Sequence, residues 1–445
     1  MRRWAPLVGL ALALIVGAAL RLGFYGVIEW KGDEQWTFVH ARQMAATGAW
    51  PPIGMPSSVG APNPGLSLWV FTWLMQLGAT TPPDLARAVQ ILNVVALALF
   101  AAFGLFAIPK TRREPWLWAA ALWAANPASV ILERKIWTPS TLPLPAVGML
   151  WAWRYRRHPA AAFAWGLLGA LMAQIHLGAG FFAAALMLWT LNADRRAFPW
   201  IGWIAGSLVG ALPAIPWALE LAQHSWPHGP PRSPSASFYL RWPNFLLGNG
   251  PQYTLNRAGF ADFLNTPMLN GAPSRLAAAL QAALLAATVL LVFRAAQKLV
   301  RDRGGLSARA LFLGDSPETL LAAASFWGYG GLLTLLTFAS VGSYRHYMEI
   351  IAPLMALWTA LFALWTDKGA ARPFARPTLA LLCAAQAALS LLLLAYIDRI
   401  GVTTGDFGAS WNAQQAALHA PVSAAVPPGS AAGGPRAQGP TRPGD

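Results

Sequence analysis

Apolar stretches of about 20 residues recur along most of this chain, separated by short clusters of Arg and Lys, and that alternation admits few folds. A run that long with almost no charge fits a helix crossing a bilayer, because a helix satisfies its own backbone polar groups within one segment. The first run extends from Ala5 to Ile28, interrupted only by Arg21. Ten more are read at 86–108, 115–132, 139–153, 160–175, 177–191, 198–219, 275–297, 317–340, 347–366 and 374–397, about 11 transmembrane helices in all. Only 11% of the residues are charged and 56% are hydrophobic, whereas a soluble domain carries about 25% charge. The fold class is therefore all-α, a polytopic membrane protein.

The net charge of +15 raises the question of nucleic acid. Its carriers sit in short clusters between apolar runs, not along one face or tail, so anionic membrane lipid is the nearest partner and no nucleic acid is expected. These clusters, 110–113, 154–158, 194–196, 294–303 and 367–376, read as cytoplasmic. Arg2 and Arg3 ahead of an apolar core resemble a signal peptide, but the core is long enough to span and is read as an uncleaved helix with a cytoplasmic N-terminus. The apolar stretch 66–78 is too short to span comfortably and would invert every later cluster if it did, so it is placed at the membrane surface. Cys383, the single cysteine, excludes an internal disulfide.

This arrangement leaves a long first outer loop, 29–85, carrying two membrane-surface helices. The first, about 34–47, puts Phe38, Ala41, Met44 and Ala45 on one side and His40, Gln43 and Thr47 on the other. Between the two, the Pro- and Gly-dense stretch 50–65 forbids regular structure. A second outer loop, 220–274, is long enough to cover a cavity and holds Ser-Phe-Tyr-Leu-Arg-Trp-Pro-Asn and Gly-Asn-Gly-Pro-Gln-Tyr. Residues 1–400 form the transmembrane domain, and 401–445 form an outer tail, disordered from about 421.

Three clusters share the outer face under this topology. Asp33 and Glu34 follow the first helix, Glu133-Arg134-Lys135 ends the third, and Tyr344-Arg345-His346-Tyr347 precedes the tenth. Snorkelling side chains or an interfacial belt would explain each alone. Together, an acid pair beside Arg134, Lys135, Tyr344 and Arg345 suits transfer from a lipid-phosphate donor: a carboxylate takes the acceptor's proton while cations hold the leaving phosphate. His40, His176, His346 and Tyr347 are candidate cavity-lining residues, although a His in an apolar run is more often a packed, hydrogen-bonded one. There is no Cys/His metal set, P-loop or dinucleotide fingerprint, so neither cofactor nor divalent metal is expected.

The pattern resembles the integral-membrane GT-C glycosyltransferases of the protein-mannosyltransferase and aminoarabinose-transferase type. Gly32-Asp33-Glu34 is similar to their acidic pair, and Asn63-Pro64-Gly65-Leu66 stands where they carry Pro-Pro-Leu. Lys135-Ile136-Trp137-Thr138-Pro139-Ser140 resembles a basic residue before a Thr-Pro-Asp-like turn, with Ser140 in place of the acid. Tyr344-Arg345-His346-Tyr347 with Pro353 resembles their Arg-Tyr segment. The resemblance implies an inverting transfer of sugar from a polyprenyl phosphate to a lipid, glycan or protein acceptor, with Asp33 as base and Glu34 in support. It also implies a bacterial inner-membrane location with the site on the periplasmic face. A lipid or lipid-linked-sugar flippase is the alternative, favoured by mid-membrane charges and inverted repeats.

Overall fold

The computed structural model describes residues 5–56, 62–194, 198–224, 235–246, 248, 250–301, 312–336, 344–368 and 372–419. They are almost wholly helical, with one two-residue hairpin, Met268–Leu269 against Ala272–Pro273.

Seven of these helical segments are long and apolar enough to cross a membrane: Pro82–Ala107, Leu177–Asp194, Trp200–Gln223, Leu276–Lys298, Pro317–Leu336, Arg345–Thr366 and Ala375–Ile400. The other four of the eleven apolar runs differ for physical reasons. Leu7–Leu22 of the first helix and Pro159–Ile175 are shorter apolar helices. The run 115–132 breaks at Asn126-Pro127, where the Asn126 side chain accepts from the Ala128 and Ser129 amides and Pro127 supplies no donor of its own. The run 139–153 opens as a 3-10 turn, Thr138–Thr141, before the α-helix Pro143–Arg154.

Segments read as outer meet one another, and so do those read as inner. At the end read as inner, Arg376 pairs with Glu114, Arg112 pairs with Glu318, and Arg154 donates to the Ala107 carbonyl. At the other end the helices Gly32–Thr47 and Leu66–Gln76 lie together, burying Phe38, Ala41 and Met44 with Leu68, Phe71 and Met75. The apolar face read from the sequence is thus the one that packs. Within the stretch 50–65, an isolated bridge joins Ile53 to Pro64, and Gly65 passes so close to the Pro51 carbonyl that a β-carbon would collide with it.

Two outer segments are more ordered than the sequence suggests. The stretch 220–274 contains the helices Ser237–Leu246 and Gly250–Phe263, the second kinked at Asn256 with φ of 55°. Residues 401–419 are folded onto the first outer loop: Ser410 bridges Glu29, Val402 bridges Ala409, and helix Trp411–His419 sets the Trp411 ring edge-on to Trp30 at 5.0 Å. The stretch from 421 onward lies outside the described residues.

Candidate active site

The buried foundation of the site is a break between helices. After the Asn126-Pro127 break the helix Pro127–Leu132 ends at Glu133, and the turn that follows is tied down by side chains. Asn93 Nδ2 donates to the Glu133 carbonyl at 3.1 Å and the Ser140 carbonyl at 2.8 Å, while Ser140 Oγ donates to the Leu132 carbonyl at 2.6 Å. Ser140, which stands in the acid position of the resembling motif, therefore holds the shape of this turn.

The three adjacent charges Glu133, Arg134 and Lys135 separate in space. Glu133 turns inward, pairs with Arg21 of the first helix and accepts from Trp123 Nε1 at 2.8 Å. Arg134 is also buried, and its guanidinium donates to the carbonyls of Leu20, Arg21, Gly23, Phe24 and Val27. It closes the C-terminal end of the first helix, whose last carbonyls have no helical partner. Both Nη groups of Arg134 thus lie on backbone carbonyls, in place of the phosphate expected there from the sequence.

Lys135 alone faces the other way. Its ammonium lies 3.0 Å from Glu29 and 3.0 Å from Glu34, and 4.3 Å from the Trp137 ring centroid. Glu34 is 1% exposed and Lys135 7%. Burial raises the Glu34 carboxyl to about 7 against the opposing pull of Lys135, and Glu29 adds to the rise. Burial works to lower Lys135, but Glu34 and Glu29 outweigh it and hold the amine above its ordinary value. Glu29 is shared with Lys31 at 3.1 Å, whereas Glu34 has Lys135 as its ion-pair partner among the described residues, and its burial outweighs that attraction.

Lys135 and Glu29 line an open cleft, about 580 Å³ with its solvent-open space included, together with Arg241, Asn244, Tyr253 and Arg345. Ile131, Leu132, Phe245 and Met348 give it an apolar wall. Three cations thus face one acid in the lining. The Arg345 guanidinium lies over the Tyr253 ring at 5.7 Å and pairs with Asp406. Arg241 is pulled below its ordinary value by burial, and its Nη1 is a buried donor with no hydrogen-bond partner among the described residues. A second cavity of about 320 Å³ shares Phe245 with the cleft and continues among Leu122, Trp123, Met355 and Leu382.

The sequence candidates divide accordingly. Lys135 and Arg345 come together in the cleft lining. Glu34 stands behind Lys135. Asp33 is exposed on the first turn of Gly32–Thr47, outside that lining, with no ion pair among the described residues. The four residues expected to line the cavity do not line this cleft. His40 stacks on Trp36 at 3.9 Å, within hydrogen-bond distance of the Trp36 carbonyl. His176 accepts the Gly178 amide on Nδ1 and sits edge-on to both His346 and Tyr347 at 5.2 Å. Tyr344 stacks on His346 at 5.6 Å, also away from the lining. The His176, His346, Tyr344 and Tyr347 rings form a packed cluster that reaches Lys135 through Trp137, 4.6 Å from His346. Aromatic rings with tyrosyl and imidazole edges satisfy one another in such a stack, which is why they back the site instead of opening onto it.

Glu29, Arg241 and Tyr253 went unselected in the sequence. Glu29 was hidden by its neighbours Asp33 and Glu34; Arg241 and Tyr253 lie in segments read as outer loop because of their Pro and Gly residues.

No protein-family model matches the chain, and no curated protein does. Among solved structures, the chain is similar to the crystal structure of ArnT from Cupriavidus metallidurans in the apo state, with a TM-score of 0.46 and 16% identity over 90% of this chain and 78% of that one. It is also similar to ArnT from Cupriavidus metallidurans bound to undecaprenyl phosphate, with a TM-score of 0.46 and 12% identity over 89% of this chain and 77% of that one.

Proposed function

We propose that this multi-pass membrane protein is a GT-C-type glycosyltransferase that moves a sugar from a polyprenyl-phosphate donor to an acceptor hydroxyl, at the outer face of a bacterial inner membrane. The observation that carries this reading is the convergence of Lys135, Arg241 and Arg345 on one cleft whose wall is otherwise largely apolar. Cations in a partly apolar setting favour an anion that arrives attached to a lipid, and guanidinium forks suit phosphate oxygens.

In the proposed step the acceptor oxygen attacks the anomeric carbon, the bond from that carbon to the phosphate oxygen breaks, and the phosphate departs with the electron pair. Lys135, Arg241 and Arg345 stabilise the charge that develops on it. The acceptor proton passes to Asp33. Among the nearby acids, Glu29 and Glu34 are both held by Lys135 and both are buried, whereas Asp33 is exposed and open to an incoming acceptor. Glu34 supports the step by fixing Lys135 against the helix that bears Asp33. A single displacement inverts the anomeric configuration, so the product's configuration tests the scheme: inversion by NMR supports it, and retention contradicts it.

A further inference from the structure

We infer that Asp406 is a resident counter-anion in the cleft, a carboxylate that the phosphate of the incoming lipid displaces from Arg345. The inference rests on the cleft being an anion site, and it adds a competitor built into the chain.

Asp406 belongs to the turn that closes the 401–410 segment over the cleft. The Arg345 ion pair engages its carboxylate, and Lys31 Nζ donates to its carbonyl and lies 3.8 Å from its carboxylate. Its neighbour Phe407 forms part of the cleft lining. The turn is held by backbone contacts: the Phe407 amide donates to the Thr254 carbonyl at 3.2 Å, and the Thr403 amide to the Gly408 carbonyl at 2.8 Å. Gly405 passes so close to the Thr254 carbonyl and the Asn256 amide that only glycine fits. These contacts put a carboxylate on the one cleft cation that is also stacked on Tyr253, while leaving its side chain 53% exposed.

That exposure matters. An ion pair this open to solvent contributes little stability, so a lipid phosphate can replace the carboxylate at small cost: the donor's phosphodiester carries one negative charge, and the polyprenyl phosphate it leaves behind carries up to two. Holding an anion at Arg345 until substrate arrives also adds to Glu29 in offsetting the repulsion between the Arg345 and Arg241 guanidinium groups, and it disfavours uncharged lipids, which cannot compete.

The experiment measures binding of farnesyl phosphate to the purified full chain in detergent, with farnesol as the uncharged control, for wild type, Asp406→Asn, Arg345→Gln and the double variant. Asn keeps the side-chain shape and the backbone contact to Lys31. The expected result is about two- to fivefold tighter binding in Asp406→Asn, the scale of an exposed ion pair. Arg345→Gln binds more weakly, and Asp406→Asn then makes no further difference in the Arg345→Gln background. Asp406→Glu, which retains the charge, stays near wild type. Binding that depends on Arg345 but not on Asp406 overturns this inference and leaves the anion site standing. An equal gain from Asp406→Asn in both backgrounds also overturns it, because the effect is then a diffuse charge and not displacement. Farnesyl phosphate binding no tighter than farnesol in every variant, Asp406→Asn included, contradicts both.

Discussion

Lys135 and Glu34 are joined by a 3.0 Å ion pair that ties the first outer loop to the turn after the Asn126-Pro127 break. Both side chains are buried. The pair sets the distance between the helix that carries Asp33 and the cations of the cleft, so the proposed base and the proposed phosphate site depend on the same contact.

That contact predicts a pH dependence of stability. The Glu34 carboxyl rises from 4.5 in the free side chain to about 7 in the folded protein. The folded state therefore binds the proton more tightly than the unfolded chain does, and this group's contribution is most favourable below 4.5 and is lost as the pH climbs toward 7. The thermal midpoint of Glu34→Gln is expected to fall less than that of wild type between pH 5 and about 7. Parallel curves for the two proteins would remove Glu34 as the titrating group.

Arg134 is predicted to be structural. Replacing it with Met leaves the carbonyls at the end of the first helix without their donors, a loss on the order of 4 kcal/mol. The expected readout is a sharply lower yield of monodisperse protein and a depressed thermal midpoint. A stable Arg134→Met protein with weakened donor binding would return Arg134 to the phosphate site.

Arg241 is predicted to bind donor. Its Nη1 has no hydrogen-bond partner among the described residues and lies in the cleft wall, so Arg241→Gln removes the charge while keeping a polar side chain. The KM for donor is expected to rise about tenfold, with kcat changing less, as for loss of one charge-assisted hydrogen bond. An unchanged KM places the phosphate elsewhere.

With three side-chain cations available, transfer is expected to proceed in excess chelator at close to its ordinary rate. Collapse in chelator and recovery with one divalent ion would assign part of the phosphate's stabilisation to a metal.

The fold was legible because bilayer physics writes itself into long apolar runs and basic clusters. Phe38, Ala41 and Met44 were read as one face of a surface helix, and they pack as one. What stayed hidden depended on side-chain direction. Glu133, Arg134 and Lys135 look like one patch in the sequence, yet the turn sends Glu133 to Arg21, Arg134 to the helix end and Lys135 to the cleft. Periodicity cannot report such a division, because the residues lie beyond the helix. Arg241 was hidden for a different reason: its helix contains Pro243 and carries mixed polarity, so the segment reads as loop until tertiary packing selects the helix. His176 follows the packed reading that an imidazole in an apolar run favours, with Nδ1 accepting the Gly178 amide and its ring edge-on to His346 and Tyr347.

The central claim is that this chain transfers sugar from a polyprenyl phosphate with Asp33 as base. The most direct measurement is release of free polyprenyl phosphate from a panel of polyprenyl-phosphate sugars by purified wild type and Asp33→Asn, each checked for monodispersity. The account predicts release by wild type with at least one donor, and a fall to background in Asp33→Asn at unchanged thermal midpoint. Equal release by the two proteins would contradict the role of Asp33, and no release from any donor, with lipid movement across vesicles instead, would contradict the transferase reading itself.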